Sequence, residues 1–562
     1  VRYRNSDPAK ILAITFTRKA RQEMITRLSK LIPESAHLVQ VETFNSFCEK
    51  ILKKNADIAY DKEYRVMDYQ AKIKIVNEAL GQIGWGIDDA LSEYFSKKRF
   101  YRENKRDLYF TFVNDMFSLM DHYKHNEKSI SFVKDISNNT STASERRLGE
   151  FIYKLISTIS DLKKEKGLRD YTDQITHSIE LFEKNPDSIP EFEHILVDEY
   201  QDVNNIQVKL IDILDPKNLF VVGDPRQSIY GWRGSKIENI LNFPNKYGNP
   251  SVIQLTKNYR STEKIVEIGN KVIKSMGLPG LETPSGKEDQ TCPIMLVSHS
   301  DENAESLFVA QSILSQNIPR NEIFVLARTN KQLENISRIL QQNSIKFLKR
   351  TVEEKKENLV PKEDEVTLST VHAIKGLEAE IVYMIGVSSQ MYPCMASEHP
   401  FLNLVKVDDE YDKYAEELRL LYVGLTRAKK QLVISYYNTL SRFITSDVLS
   451  FLTKVGDASL SGAVSSRCLK RSSSNDKDVP LYKQNKKGSS SDNDLFFRLK
   501  DWRLETANKK RIRAYMIFSD KTLQEIVSKK PSSFYELQSI YGLGDNKILK
   551  YGSDILEIIN KG

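Results

Sequence analysis

The stretch HILVDEYQDVN, His194–Asn204, decides the fold class: it is a short apolar run that ends on two adjacent carboxylates, Asp198 and Glu199. Buried strands of parallel sheets have this composition, and ligands of such sheets sit beyond the carboxyl ends of the strands, where Asp198 and Glu199 fall. At that edge one carboxylate can hold a Mg²⁺ ion and the other can take a proton from an attacking water. An Asp-Glu pair on its own would read as surface charge. The strand ahead of it and the segment that follows change that weighting.

The following segment, LFVVGDPRQSIYGWRGS (Leu219–Ser235), is a second apolar run, a turn, and then Gln227, Tyr230, Trp232 and Arg233. A neutral amide at Gln227 suits the sensing of a terminal phosphate, while Tyr230, Trp232 and Arg233 offer stacking and charge to unpaired bases. Aromatic side chains are more often core than platform, but apolar neighbours are scarce around Gly231–Gly234.

Further out, the apolar runs Ile11–Ile14, Val252–Leu255, Ile323–Ala327, Val366–Leu368 and Ile381–Ile385 alternate with amphipathic patterns. Such alternation predicts an α/β fold of parallel sheets covered by helices. After the first run, Ala20, Met24, Leu28 and Leu31 form an apolar stripe at helical spacing, the return helix of a βα unit. Residues from about 62 to 165 carry no strand signal and are expected to form an inserted all-helical subdomain. Within it, KKRFYRENKRDLYF (Lys97–Phe110) interleaves six basic residues with four aromatics. A solvated helix face with a buried aromatic side is favoured there over a nucleic-acid contact.

A chain of 562 residues is long enough for several domains, and 40% apolar with 28% charged residues excludes a disordered or low-complexity protein. No apolar run approaches the roughly 18 residues of a membrane span, and Val1–Lys10 has no signal-segment pattern, so a soluble intracellular protein without a membrane partner is expected. Cys48, Cys292, Cys394 and Cys468 are widely spaced, which suggests reduced thiols and neither a disulfide framework nor a Cys-rich metal site.

The formal charge is +7, and Gly456–Arg513 alone contributes 14 − 7 = +7. Most of this excess lies in a Ser/Lys/Asn/Asp-rich stretch, residues 456–491, expected to be a basic flexible linker. Beyond it Leu495, Leu499 and Trp502 recur at helical spacing, Ser519 or Asp520 can cap a helix, and Ser533–Glu536 reads as a capping box, together a small helical bundle. Gly542-Leu543-Gly544 then opens another helix, where a phosphate site and a plain helix-ending turn are both open.

Seven segments occur in a telling order: ILAITFTRKARQEM (Ile11–Met24), VETFNSFCEKIL (Val41–Leu52), VDEYQD, VVGDPRQSIYGWRG, LTKNYRST (Leu255–Thr262), VTLSTVHAIKGLEAEIV (Val366–Val382) and EELRLLYVGLTRAKKQL (Glu416–Leu432). In wording and order they resemble the motifs of the UvrD/Rep/PcrA family of superfamily 1 DNA helicases. The resemblance implies two RecA-like domains with ATP and Mg²⁺ between them, single-stranded DNA and single-strand/duplex junctions as partners, and translocation 3′→5′ in repair or recombination. It also implies a cytoplasmic, nucleoid-associated location. The domains would be 1–61 with 166–262, a helical insertion 62–165, and 263–455. After the linker, LKDWRLETA, AYMIFSDKTL, SSFYELQSIYGLGDNKILKYG and DILEII resemble an HRDC domain (492–562), an accessory nucleic-acid or protein contact.

By this resemblance Asp198 is the Mg²⁺ ligand, Glu199 the base for water, Gln227 the γ-phosphate sensor, Tyr259 the aromatic on adenine and Glu378 the ribose contact. Arg260 and Arg427 clamp the γ-phosphate, a role suited to planar guanidinium groups. Phe16, Thr43, Tyr230, Trp232 and Arg233 resemble single-strand contacts, and His372 and Lys375 join the DNA path to the ATP cleft. For His372 alone, a satisfied core histidine would be the better reading; its setting in STVHAIKGLE shifts it.

Three departures accompany the resemblance. The family's Gly-x-x-x-x-Gly-Lys-Ser/Thr loop is expected just ahead of Ile11, yet Val1–Thr17 contains no glycine, and the decoy Gly280–Glu288 has the wrong spacing and place. Since that loop's N–H groups and lysine carry much of the phosphate affinity, residues 1–562 are expected to bind ATP poorly and hydrolyse it little, as a truncated form of an intact enzyme. Only TVEEKKENLVPKEDE (Thr351–Glu365) stands where relatives carry the insertion called 2B, so that insertion and its regulation are expected to be absent. Asn45 replaces the usual His and Ala379 the usual aromatic. Two other readings compete: a non-catalytic single-strand-binding protein, and the helicase subunit of a helicase–nuclease, the latter weakened by the HRDC-like ending.

Overall fold

The computed structural model describes residues 6–138, 142–248, 250–284, 293–351, 360–394, 412–455, 491–510, 517–537, 540, 543 and 545–560. They fall into two compact units, Val1–Arg471 and Ser472–Gly562. The expected linker lies outside the described residues up to Ser491, as do Gly542, Gly544, Cys292, Cys468 and residues 352–359 of the segment Thr351–Glu365.

The strands in chain order begin with β1 (Ile11–Thr15), β2 (Gln40–Thr43), β3 (Arg65–Val66), β4 (Leu168–Arg169), β5 (His194–Val197) and β6 (Asn218–Val221). Four of them form a parallel sheet in the order β2-β1-β5-β6. The alternation of short apolar runs with helices requires this arrangement, because a parallel pair needs a crossover, and helices supply it while covering the sheet. Leu12, Ile14, Ile195 and Val197 are buried in its core with Phe44, Phe47 and Leu210.

Two expectations for this sheet are corrected. Val252–Leu255 is not a strand: Ile253 and Leu255 are 77% and 85% exposed, and the backbone there joins no sheet. An apolar run becomes a strand only where a neighbour offers its ladder, and β6, whose Phe220 is also exposed, has β5 as its one described neighbour. Along the helix Arg18–Leu31, Met24 and Leu28 do pack toward Ala13, Val39 and Val41, but Leu31 overhangs into solvent and Ile25 and Ile32 complete the contact.

The described residues of 69–165 form helices, chiefly Tyr69–Gln82, Ile87–Tyr94, Lys105–His125 and Ala143–Glu165, around their own core of Leu108, Phe112, Met116, Ile152 and Ile156. Contrary to the all-helical expectation for 62–165, β3 pairs in parallel with β4 and ties off the base of this insertion. In KKRFYRENKRDLYF, Phe100 packs against the core and Arg99 pairs with Glu103, while Tyr101 is exposed.

The second sheet uses β7 (Ile294–His299), β8 (Ile323–Ala327), β9 (Phe347–Arg350), β10 (Val366–Thr370), β11 (Ala379–Met384), β12 (Ala428–Tyr437) and β13 (Leu452–Val455). It is parallel throughout, in the order β13-β7-β12-β11-β8-β10-β9. β8, β10 and β11 are buried almost end to end, as central strands covered on both faces must be.

The C-terminal unit packs the helices Ser491–Lys510, Asp520–Lys529, Phe534–Leu537 and Asp545–Asn560 around Leu495, Leu499, Phe518, Leu523 and Ile555. Ser519 caps the second helix by accepting from Thr522 N. At Ser533 half of the expected box forms: Glu536 N donates to Ser533 Oγ, but the Glu536 carboxylate accepts from Ser532 N.

Candidate nucleotide cleft and single-strand platform

Asp198 and Glu199 follow β5, and the chain turns sharply there: Glu199 has φ +50°, and Asp198 Oδ1 accepts from its backbone N at 2.9 Å. Burial and the neighbouring Glu199 charge both push the Asp198 carboxyl above its usual range. The Glu199 charge beside it disfavours the ionised form of Asp198, which makes the edge ready for a cation. Glu199 Oε2 accepts from Gln201 Nε2 and lies 3.6 Å from Lys375 Nζ, so the carboxylate is oriented.

Gln227 follows β6 in a short turn and donates to Asp224 Oδ2 at 3.1 Å. Its Oε1 accepts from Arg427 Nη2, which comes from the second sheet's side, at 3.3 Å. Arg427 follows the helix Lys413–Leu425, is 1% exposed, and donates also to Val423 O and Leu377 O. Burial, with the like charge of Arg260, lowers its affinity for its proton to about 10. Arg260 is not free: it pairs with Glu378, which Lys429 also approaches at 3.3 Å. Although burial opposes ionisation of Glu378, Arg260 and Lys429 hold its pKa below the usual range. Tyr259 stands 73% exposed beside Arg260.

The turn Gly231–Arg233 builds the platform. Trp232 is exposed and meets the His372 ring edge-on at 6.0 Å, with the Arg233 guanidinium 4.5 Å above the indole. Tyr230 Oη donates to His372 O at 3.1 Å. Burial, then the nearby Arg328 and Arg233 charges, push the His372 pKa down to about 3, so its ring is neutral at physiological pH. Lys375 ties the two halves of the site together by donating to Gln227 O at 2.8 Å and pairing with buried Asp202. Phe16 and Thr43 belong to another part of the first lobe. Phe16 packs edge-on against Phe44, and Thr43, in register with Thr15, caps the helix Phe44–Lys54.

These features coincide with the family comparisons. UvrD/REP helicase N-terminal domain is matched by residues 1–248, UvrD-like helicase C-terminal domain by 253–354 and 346–439, and HRDC domain by 492–559. The chain belongs to the UvrD/Rep helicase family. Among its relatives are the ATP-dependent DNA helicase PcrA of Staphylococcus epidermidis, 32% identical over 357 residues, and that of Staphylococcus aureus, 30% identical over 359. Each alignment covers 60% of this chain, and the chain spans less than half of either relative, 44% and 43%.

In this UvrD/Rep family chain the geometry also recruits residues that motif reading passed over. Asp202 is the buried partner of Lys375. Arg328, at the end of β8, grips Glu417, whose Oε2 also accepts from Cys394 N at 3.1 Å. Glu416 and Arg419 reach across to the first lobe, at Gly231 N and Ser228 O. All but Arg328 and Cys394 lie inside the quoted motifs, so proximity to the named residues was their one signal.

Proposed function

We propose that this chain carries the motor of an ATP-dependent DNA helicase that moves 3′→5′ along single-stranded DNA in repair or recombination. The observation that carries this reading is the meeting of Arg427 and Gln227 across two parallel-sheet lobes, one strand away from the paired carboxylates Asp198 and Glu199. Residues 1–61 with 166–262 and 263–455 act as the two motor domains, 62–165 as an insertion and 492–562 as an accessory DNA or protein contact. The site works in the cytoplasm, at the nucleoid, on single strands and their junctions with duplex.

The residues fit a nucleotide triphosphate. Arg427 and Arg260 are two guanidinium groups that repel each other's charge, and an anion between the lobes relieves that repulsion. The repelling carboxylates Asp198 and Glu199 fit a divalent cation on the same argument, with Asp198 as its ligand. A bound Mg²⁺–ATP supplies the phosphoryl group to be transferred to water. Glu199, oriented by Gln201, accepts the proton of the attacking water, and Gln227 and the two arginines stabilise the charge that develops. Tyr259 offers a face to the base, and releasing Glu378 from Arg260 leaves its carboxylate to accept from a sugar hydroxyl. Trp232, Arg233 and Tyr230 stack on and neutralise the unpaired strand.

A second reading is strand binding without turnover, for which the platform of Trp232, Arg233 and Tyr230 suffices. The experiment separates the two. Residues 1–562 are mixed with duplexes bearing a 3′ or a 5′ single-stranded tail, with and without ATP, and strand displacement and phosphate release are followed. ATP-dependent displacement from the 3′ tail, lost in Glu199→Gln with tail binding retained, supports the motor. Displacement from the 5′ tail overturns the direction, and tail binding with no phosphate release supports the second reading.

A further inference from the structure

Three contacts run in order along one helix of the second lobe. Just past its C-terminal end Arg427 meets Gln227, in its middle Arg419 Nε donates to Ser228 O at 2.6 Å, and near its N-terminal end Glu416 Oε2 accepts from Gly231 N at 2.9 Å. Helix and loop therefore lie antiparallel, the residues at 427, 419 and 416 facing those at 227, 228 and 231. At 1.5 Å per residue, Glu416 and Leu425 are separated by about 14 Å of continuous helix. One end thus touches the proposed phosphate clamp and the other touches the first residue of the turn that bears Trp232 and Arg233.

Glu416 is only 6% exposed. A carboxylate accepting at 2.9 Å from an amide is among the stronger hydrogen bonds a protein makes, and its loss leaves a half-buried N–H without that acceptor. Gly231 N–H is the natural target, because the first amide of a helical turn has no partner within the turn. A 13-residue helix packed along its length moves as a body. A shift at Arg427 is then felt at Gly231.

We infer that Glu416 is a positioning residue: it holds the Gly231 amide, and with it the Trp232–Arg233 stack, in register with the helix that ends at the Arg427 clamp. The inference rests on the proposed reading of Trp232 as a base platform and adds the element that ties that platform to the nucleotide side. In this role Glu416 acts through Gly231 and not by contact with strand or nucleotide.

The test needs no nucleotide. In residues 1–562 carrying Trp85→Phe and Trp502→Phe, Trp232 is the remaining tryptophan and reports the platform by its emission. Glu416→Ala should shift that emission in the free protein and weaken oligo-dT binding about tenfold. Glu416→Gln keeps a side-chain oxygen at the same reach and should restore both to within about twofold. Glu416→Asp keeps the charge but withdraws the oxygen by one methylene, so it should follow Ala; it also serves if the Ala variant does not fold. In a double-mutant cycle, Arg427→Ala should weaken oligo-dT binding at least threefold more with Glu416 present than with Ala in its place. Unchanged emission in Glu416→Ala, a Gln variant as impaired as Ala, or additive effects in the cycle would overturn the inference. If the parent chain does not bind oligo-dT, the proposed function fails, and Trp232 emission in the free variants still decides the role of Glu416.

Discussion

Arg427 and Gln227 are 200 positions apart in sequence and 3.3 Å apart in space, and Gln227 Oε1 is one of three neutral oxygens, with Val423 O and Leu377 O, to which the buried guanidinium donates. A fully buried cation held by neutral acceptors, with a second guanidinium depressing its pKa, marks a place short of negative charge. Pyrophosphate and ATP are therefore expected to raise the melting temperature of residues 1–562 by several degrees at concentrations well above their Kd. Arg427→Met, which removes the charge but keeps much of the volume, should melt within a few degrees of the parent and lose the ligand-induced shift. Thermal melts with and without each anion check this, and an undiminished shift in the variant would place the anion elsewhere.

Lys375 and Asp202 form a buried pair that bridges the lobes, with side chains 7% and 2% exposed. Lys375→Met removes the cation and strands the carboxylate, a change that costs about 3–5 kcal/mol in buried pairs. Adding Asp202→Asn should return most of it. The pH dependence has a definite sign. Burial raises the Asp202 pKa to about 6 even with Lys375 beside it, so the folded state holds that proton more tightly than the unfolded chain does. Its stabilising contribution is complete below about pH 4 and is lost as pH rises through 6. Without Lys375 the folded pKa rises further, so the defect should be larger at pH 8 than at pH 5 in urea unfolding.

How much of this was legible in the chain depends on whether a feature is local. β1, β5 and β6 could be read because each is a short, largely apolar run, and Asp198, Glu199 and Gln227 because they follow such runs within a few residues. Val252–Leu255 has the same composition yet joins no sheet, since pairing depends on what lies alongside. Leu31 keeps the helical period of Ala20, Met24 and Leu28, but the helix outruns the strands beneath it. The paired Arg260 and Glu378 could not be foreseen from motifs that describe contacts with a ligand. Glu416 and Arg419 sit inside a quoted motif, but their partners Gly231 and Ser228 come from the first lobe, a pairing that no local pattern carries.

Gly234 closes the platform turn with φ +87°, and a Cβ there would meet His125 Nδ1 at 2.5 Å and its Cγ at 3.1 Å. The helical insertion thus abuts the turn through the last residue of the helix Lys105–His125. Gly234→Ala suffers twice, from a backbone conformation that L residues resist and from the imidazole in its way, together about 1–3 kcal/mol. Oligo-dT affinity should fall correspondingly, by roughly tenfold. His125→Ala in the same chain frees the space but not the backbone, so it should recover part of the loss. Full recovery would mean that the torsion is unstrained, and no recovery that the imidazole yields freely.

Glu305 offers a pH effect remote from the cleft. Its carboxylate is 1% exposed and accepts from Gly386 N at 2.8 Å and Ser435 Oγ at 2.7 Å, joining its helix to the ends of β11 and β12. Burial outweighs those two donors and lifts its pKa to about 7. The folded state therefore binds this proton more tightly than the unfolded chain, whose carboxyl titrates near 4.5. The stability from the protonated form is fully present below about pH 4.5 and disappears as pH rises through 7. Glu305→Gln has no such proton to lose. Relative to that variant, the parent should lose about 3 kcal/mol between pH 4 and pH 8, most of it between 5 and 7. Parallel stability profiles for the two proteins would show that the Glu305 carboxyl titrates normally despite its burial.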